Sequence, residues 1–246
     1  MIFPVDALRS TLGDIVDLFL PPHCAICGNR TDGQPICEDC SELFEADGVA
    51  RCSVCNTVID SLDNGCPIHG HGAYRFYMPA FHFGDGVRES IHMLKYSSRR
   101  DIGHYLASFV ARLCAENGAL DRVDALLPVP LHTVRKRDRG YNQSEVIAER
   151  ISSEMGIPIE RKAVVRTRNT KSQTKLGAAE RAKNIAGAFR AKKDLTGKRF
   201  AIIDDVITTG ATTGELANAV IAANGEVRCA ICIASPDIEQ SKENQV

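Results

Sequence analysis

Tryptophan is absent from the 246 residues and aromatic side chains make up only 6% of them, so any core must be built from Val, Ile, Leu and Ala. Apolar runs approaching the roughly 20 residues that span a bilayer are missing too, so no membrane insertion is expected. Residues 1–20 have neither a basic start nor a continuous apolar segment, because Asp6, Arg9, Asp14 and Asp17 interrupt the apolar positions. They read as a short amphipathic helix rather than an export signal, and the expected location is cytoplasmic. Net charge is almost lacking as well, at −1, but the average conceals a division along the chain. Residues 21–72 hold two basic against eight acidic side chains, whereas residues 130–199 hold eighteen Lys/Arg against seven Asp/Glu. The basic excess is expected to form a face for phosphate groups.

Composition divides the remainder of the chain. A Cys/Pro/Gly-rich segment covers 21–72, an α/β region covers 73–235 with 73–84 as its connecting stretch, and a polar tail covers 236–246. ALLPVP (125–130), FAIIDD (200–205) and VRCAICIAS (227–235) read as buried strands. SEVIAERISSEM (144–155) and TGELANAVIAANG (213–225) read as helices, the second ended by Gly225. Strands alternating with helices imply a parallel sheet with helices on both faces.

Cysteine is what the sequence has in plenty, ten in all. In a chain of this size without an export signal, metal binding is favoured over disulfides or buried thiols. Cys24/Cys27, Cys37/Cys40 and Cys52/Cys55 form three CxxC pairs, and Cys66/His69 a CxxH. A CxxC turn places two thiolates on one ion, and two such turns close the tetrahedral shell of a structural zinc. Two zinc sites are expected. The simplest pairing joins Cys24, Cys27, Cys37 and Cys40 in one site, and Cys52, Cys55, Cys66 and His69 in the other. A crossed pairing remains open, as does His71 in place of His69. Cys229 and Cys232 share the CxxC spacing but sit in an apolar strand, where residues three apart face opposite sides, and read as core together with Cys114.

FAIIDDVITTGATTGE carries the strongest chemical signal: a strand running into Asp204 and Asp205, then the small-residue loop Thr208, Thr209, Gly210, Ala211, Thr212, then a helix. Carboxylates at the carboxyl edge of a parallel sheet suit sugar hydroxyls, and a loop of small residues at a helix start suits a phosphate. The pattern is not a Walker loop. It resembles the ribose-phosphate loop of the type I phosphoribosyltransferases. That resemblance implies that Asp204 and Asp205 hold the ribose hydroxyls and that 208–212 cradle the 5′-phosphate.

PVPLHTVRKRDRGYNQ (128–143), RTRNTKSQTKLGAAERAKNIAGAF (166–189) and the pair Lys95–Tyr96 extend the likeness to the ComF/GntX family, a double zinc ribbon ahead of a type I phosphoribosyltransferase domain. His69 stands where cysteine is common in that family. The resemblance implies binding of phosphoribosyl pyrophosphate with Mg²⁺ and a role in DNA uptake. An active phosphoribosyltransferase with a nucleobase or amine acceptor is the alternative. The expected pyrophosphate ligands are Arg137 and Arg139, with Arg166, Arg168 and Lys171 on a mobile loop and Arg181 a weaker choice. Single-stranded DNA would meet the basic 130–199 region, and a protein partner the acidic ribbon.

Overall fold

The computed structural model describes residues 21–70, 72–168 and 178–236, without the side chains of 178, 179, 181 and 182. The helix expected over 1–20, His71, Lys171, the side chain of Arg181 and residues 237–246 of the expected tail thus lie outside the described residues.

A short helix, α1 (Glu38–Glu42), precedes β1 (Phe76–His82), α2 (Asp85–Tyr96), α3 (Arg100–Asn117) and β2 (Ala125–Pro128). Then come α4 (Thr133–Arg139), α5 (Gln143–Met155), β3 (Val164–Arg166), α6 (Ala178–Ile185) and β4 (Phe189–Ala191). The last three elements are β5 (Arg199–Val206), α7 (Ala211–Ile221) and β6 (Glu226–Ser235). Four strands form a wholly parallel sheet in the order β1-β6-β5-β2, the α/β architecture the sequence implies. Side chains alternate across it. Ala201, Ile203, Cys229, Ile231 and Ile233 enter the core shared with α3 and α5, while Phe200, Ile202, Ala230 and Cys232 enter the core shared with α7. Cys229 and Cys232 are therefore buried on opposite faces, as their strand position requires, and Cys114 is buried on α3.

The helices form for legible reasons. Ile102, Leu106, Val110 and Cys114 make a buried stripe at four-residue spacing on α3. Asn142 caps α5, its Oδ1 accepting from Ser144 N at 3.1 Å. The helix expected to run to Gly225 instead ends at Ile221, because Asn224 takes the left-handed conformation (φ 64°) and anchors its amide on Asp194 Oδ1 at 3.0 Å. Gly225 serves close packing: a Cβ there would lie 2.8 Å from Val220 Cγ1 and 3.0 Å from Leu195 Cβ. Gly225→Ala is expected to destabilise by about 1–3 kcal/mol through overpacking, read as a lower urea midpoint with unchanged slope.

Two further elements were hidden in the sequence. The stretch 73–84 contains β1, so it is the edge of the sheet rather than a connector. The outer side of β1 is met by the cysteine-rich segment: Asp47 N donates to Ala80 O at 2.9 Å, Gly48 N to Pro79 O at 3.0 Å, and His82 N to Glu45 O at 2.9 Å. Arg51 and Tyr77 exchange two backbone hydrogen bonds of 2.9 Å. Residues 45–51 thus act as an antiparallel fifth strand and cover an edge that would otherwise expose unpaired backbone. Pro79 fits a strand whose outer partner needs only its carbonyl. The second element, the antiparallel pair β3–β4, corrects the placement of Arg166, which sits in strand β3 and not on a loop. Among the described residues, no helix is long and apolar enough to cross a membrane.

Candidate functional site

The cysteine-rich segment folds into two clusters of metal-binding type: Cys24, Cys27, Cys37 and Cys40, and Cys52, Cys55, Cys66 and His69. Within each, the four ligand atoms lie within 4.8 Å of one another, which favours the sequential pairing over the crossed one. The measured edges agree with a zinc tetrahedron. Bonds of about 2.3 Å to sulfur imply edges of about 3.8 Å. Cys27 and Cys37 Sγ are 3.6 Å apart, Cys55 and Cys66 Sγ 3.6 Å, and His69 Nδ1 lies 3.7 Å from Cys66 Sγ and 3.9 Å from Cys52 Sγ. Four converging ligands per cluster leave no coordination position for water, the arrangement of structural zinc.

At the carboxyl edge of the sheet, α5 packs against β2 and β5 from one face while α7 packs against β5 and β6 from the other. The crevice between these departures is where parallel sheets take ligands. Asp204, half-buried, faces a pocket lined by Val206–Thr213. Ser144 Oγ donates to Asp204 Oδ1 at 3.1 Å, and Asp205 N donates to the same oxygen at 2.9 Å. Burial and then the neighbouring Asp205 carboxylate push the Asp204 carboxyl up to about 7, against the pull of that backbone N–H, Lys95 and Ser144. Asp205, adjacent on the strand, points away and is buried, with Oδ2 paired to Lys95 Nζ at 2.5 Å. The two carboxylates are therefore not equivalent: Asp204 meets the pocket, and Asp205 holds Lys95.

The loop from Ile207 to Gly210 turns on Gly210 (φ 69°), a left-handed residue that starts α7. Thr208, Thr209, Gly210, Ala211 and Thr212 line the pocket where α7 begins, a run of small and hydroxyl residues at a helix start that suits an anion. The strand, loop and helix start fall where the sequence places them.

The arginines are placed less simply. Arg139 lies over the Tyr96 ring at 5.1 Å, and Arg166 over Phe189 at 5.6 Å. Burial and then Arg135 pull Arg166 down to about 10, with Asp204 opposing. Arg135 is pulled down by burial and then Arg139. Arg166 thus lies within electrostatic reach of Asp204 and of Arg135, and Arg135 within reach of Arg139. Arg137 is exposed and faces the other side of α4, and Arg168 donates from Nη1 to Ala186 O at 2.6 Å. Arg135 was missed in the sequence although it stands four residues before Arg139, on the same helix face. Several basic residues of this region are held in ion pairs: Lys136–Glu145 (3.0 Å), Arg150–Glu154 (2.5 Å), Arg161–Glu149 (3.0 Å), Lys193–Glu160 (2.8 Å) and Arg199–Asp124 (2.9 Å). Lys95 and Ser144 had no site role in the sequence reading, since only the fold brings α2 and α5 to the end of β5.

Comparison with known proteins agrees with both halves. A double zinc ribbon domain model matches residues 15–68 and a phosphoribosyl transferase domain model residues 117–246. The chain is 30% identical over 204 residues to the DNA utilization protein YhgH of Shigella flexneri, covering 72% of this chain and 88% of that one. It is 38% identical over 96 residues to competence protein F of Haemophilus influenzae, covering 38% of this chain and 42% of that one. Among solved structures, a purine phosphoribosyltransferase from Pyrococcus horikoshii aligns at TM-score 0.33 and 19% identity, over 53% of this chain and 73% of that one.

Proposed function

The chain belongs to the ComF/GntX family of double zinc ribbon and phosphoribosyl transferase domain proteins, and from that premise we propose that it binds phosphoribosyl pyrophosphate or a related ribose phosphate in the service of DNA utilization. The observation that carries this reading is Asp204 facing the Ile207–Thr213 cradle at the sheet's carboxyl edge. A ribose 5-phosphate fits the polarity of that crevice. Its phosphate meets the N–H groups at the start of α7, and its hydroxyls donate to Asp204. Arg135, Arg139 and Arg166 stand where a second anionic group, such as a pyrophosphate, would lie.

The two metal clusters hold zinc in this reading, with Cys24, Cys27, Cys37 and Cys40 on the first ion and Cys52, Cys55, Cys66 and His69 on the second. Their role is to hold the ribbon's shape, because the segment has little apolar core of its own. Mg²⁺ would arrive with the pyrophosphate and neutralise its charge; the oxygen donors of Asp204 and of the phosphates suit that hard cation. The alternative, catalysed displacement of pyrophosphate by a nucleobase or amine, uses the same groups. The arginine group would then stabilise the leaving pyrophosphate while the carboxylate edge faces the cationic sugar. Calorimetric titration with phosphoribosyl pyrophosphate and Mg²⁺, comparing the wild type with Asp204→Asn, tests the binding reading. Pyrophosphate release in an acceptor screen tests the catalytic one.

For DNA, the charge division supports contact through the α4 and β3–β4 side and not through the acidic ribbon, which would repel phosphates. Single-stranded DNA affinity is expected to fall as salt rises, and Arg135→Ala/Arg139→Ala to flatten the log–log slope by about 1–2 through lost phosphate contacts. An unchanged slope in that variant, measured by fluorescence anisotropy, would count against this face. The ribbon's exposed Leu43, Val54, Val58 and Ile68 among acidic residues suit a protein partner better than a nucleic acid.

A further inference from the structure

The two metal clusters differ in what they touch. Around the first, Phe44 and Ile26 rest on α2: a Cβ on Gly86 would lie 2.9 Å from the Phe44 ring and 4.0 Å from Ile26 Cδ1. The second lies against the phosphate loop. A Cβ on Gly210 would sit 3.5 Å from the carbonyl oxygen of Ser53, the residue after the ligand Cys52, and 3.5 Å from Tyr74 Oη. The turn of the loop thus lies beside the Cys52–Cys55 knuckle, with space for little more than one methyl group between Gly210 and the Ser53 carbonyl.

Behind the loop, Tyr74 Oη and Thr213 Oγ1 are hydrogen-bonded at 2.8 Å, and Thr213 Oγ1 donates to Gly210 O at 3.0 Å. Each hydroxyl has one proton, so Tyr74 is the donor to Thr213. The segment that carries Tyr74 is held from the knuckle side three residues on, at Tyr77. Arg51, next to Cys52, exchanges its two backbone hydrogen bonds with Tyr77. The Tyr77 hydroxyl bonds Asn56 Oδ1, and Asn56, next to Cys55, takes a left-handed conformation. Both ends of the second knuckle are therefore tied to the segment that pins Gly210.

We infer that the second zinc site clamps the phosphate loop through Ser53 and Tyr74, so that ribose-phosphate affinity depends on metal in the second site and far less on metal in the first. The inference rests on the ribose-phosphate reading of the loop and adds a regulatory input to it: whatever removes that zinc weakens the hold on the ligand. The physical cause is the knuckle's lack of any core of its own. Without metal it loses its shape, the Ser53 carbonyl withdraws, and the loop spends less time in the form that fits a phosphate. Apparent affinity then falls in proportion to the fraction of chains that remain competent.

The test uses the full chain, ribose 5-phosphate as the titrant, and three variants. Cys55→Ser removes an exposed ligand of the second site, Cys27→Ser an exposed ligand of the first, and Tyr74→Phe removes the hydroxyl alone. Zinc content, calorimetric affinity and hydrogen exchange at residues 207–213 are measured for each. Cys55→Ser is expected to lose one zinc, weaken ribose 5-phosphate about tenfold and speed exchange in the loop, while Cys27→Ser loses one zinc with affinity changed by less than about twofold. Tyr74→Phe keeps both zincs and still speeds loop exchange and weakens binding. Equal loop exchange and equal affinity in the two cysteine variants would overturn the clamp, and so would a Tyr74→Phe protein matching the wild type in both, which decides the matter even should Cys55→Ser fail to fold. A wild type that does not bind ribose 5-phosphate overturns the reading of the loop instead, and the exchange comparison then still decides whether the second site holds it.

Discussion

Stripping both zinc ions with a chelator is expected to abolish the cooperative thermal transition of the whole chain, ribbon and sheet together. Structural zinc sites contribute roughly 10–16 kcal/mol in small zinc-folded peptides, as much as or more than the roughly 5–15 kcal/mol that holds an ordinary domain folded. Here the loss cannot stay local. Ile36, Phe44 and Ile59 of the ribbon share one buried cluster with Ile91 and Leu94 of α2 and with Phe81 of β1. Residues 45–51 supply the backbone partners for the outer side of β1. Losing the ribbon therefore opens both an apolar face and a strand edge, and the zinc-free chain is expected to aggregate. Far-ultraviolet circular dichroism melts with light scattering, before and after chelation, are the measurement. An unchanged melt in a sample shown to hold no zinc would mean that the sheet stands without the ribbon.

Asp204→Asn is expected to weaken phosphoribosyl pyrophosphate by about 10–150-fold, the equivalent of the roughly 1.5–3 kcal/mol carried by hydrogen bonds to a charged group. The pH profile offers a sharper signature. Sugar hydroxyls donate to the ionised carboxylate, and the Asp204 carboxyl is raised to about 7, so the free protein is part-protonated near neutrality. A raised carboxyl is discharged below its folded value, and affinity must therefore increase as pH rises. Between pH 6 and 8 the gain is about tenfold for a group titrating near 7. The ligand's phosphate titrates in the same range and contributes equally to the variant, so the Asp204 part is the difference between the two profiles. Parallel profiles would remove Asp204 from the site. Asp205→Asn differs in kind. It leaves the partly covered ammonium of Lys95 without its carboxylate, so its effect belongs mainly in unfolding measurements.

What the sequence made legible follows from how local each signal is. The CxxC and CxxH spacings bring ligands together within one turn, so both clusters were readable in the chain. The run from Phe200 to Thr212 likewise contains its own strand, loop and helix start, so the loop was readable in the chain, whereas Ser53 and Tyr74 behind it were not. By contrast β1, FYMPAFH, is interrupted by proline and buried on both faces, and nothing in its neighbourhood states that its partners are β6 and the ribbon. Lys95 and Ser144 belong to helices far from β5 in sequence, and only the packing of α2 and α5 brings them to the carboxylates. The choice of Arg135 over Arg137 was readable through helical spacing. The ion pairs that neutralise Lys136, Arg161, Lys193 and Arg199 were not, because a charge count carries no partners.

The fifth-strand contact also bears on how the chain is made. Among the described strands of the sheet, β1 pairs with β6 alone, and Phe76 must wait for Cys229, about 150 residues later, before that pairing can form. At synthesis rates of roughly 5–20 residues per second this leaves β1 without its sheet neighbour for several seconds or more, with an apolar strand edge open to other nascent chains. Residues 45–51 emerge first and return to β1 across a shorter stretch, with Arg51 meeting Tyr77 and Ala46 meeting Phe81, a far smaller loop to close. The ribbon, once metal-loaded, is thus an escort supplied in advance: it occupies one side of β1 while the other waits, so zinc supply during translation affects yield before it affects the finished protein.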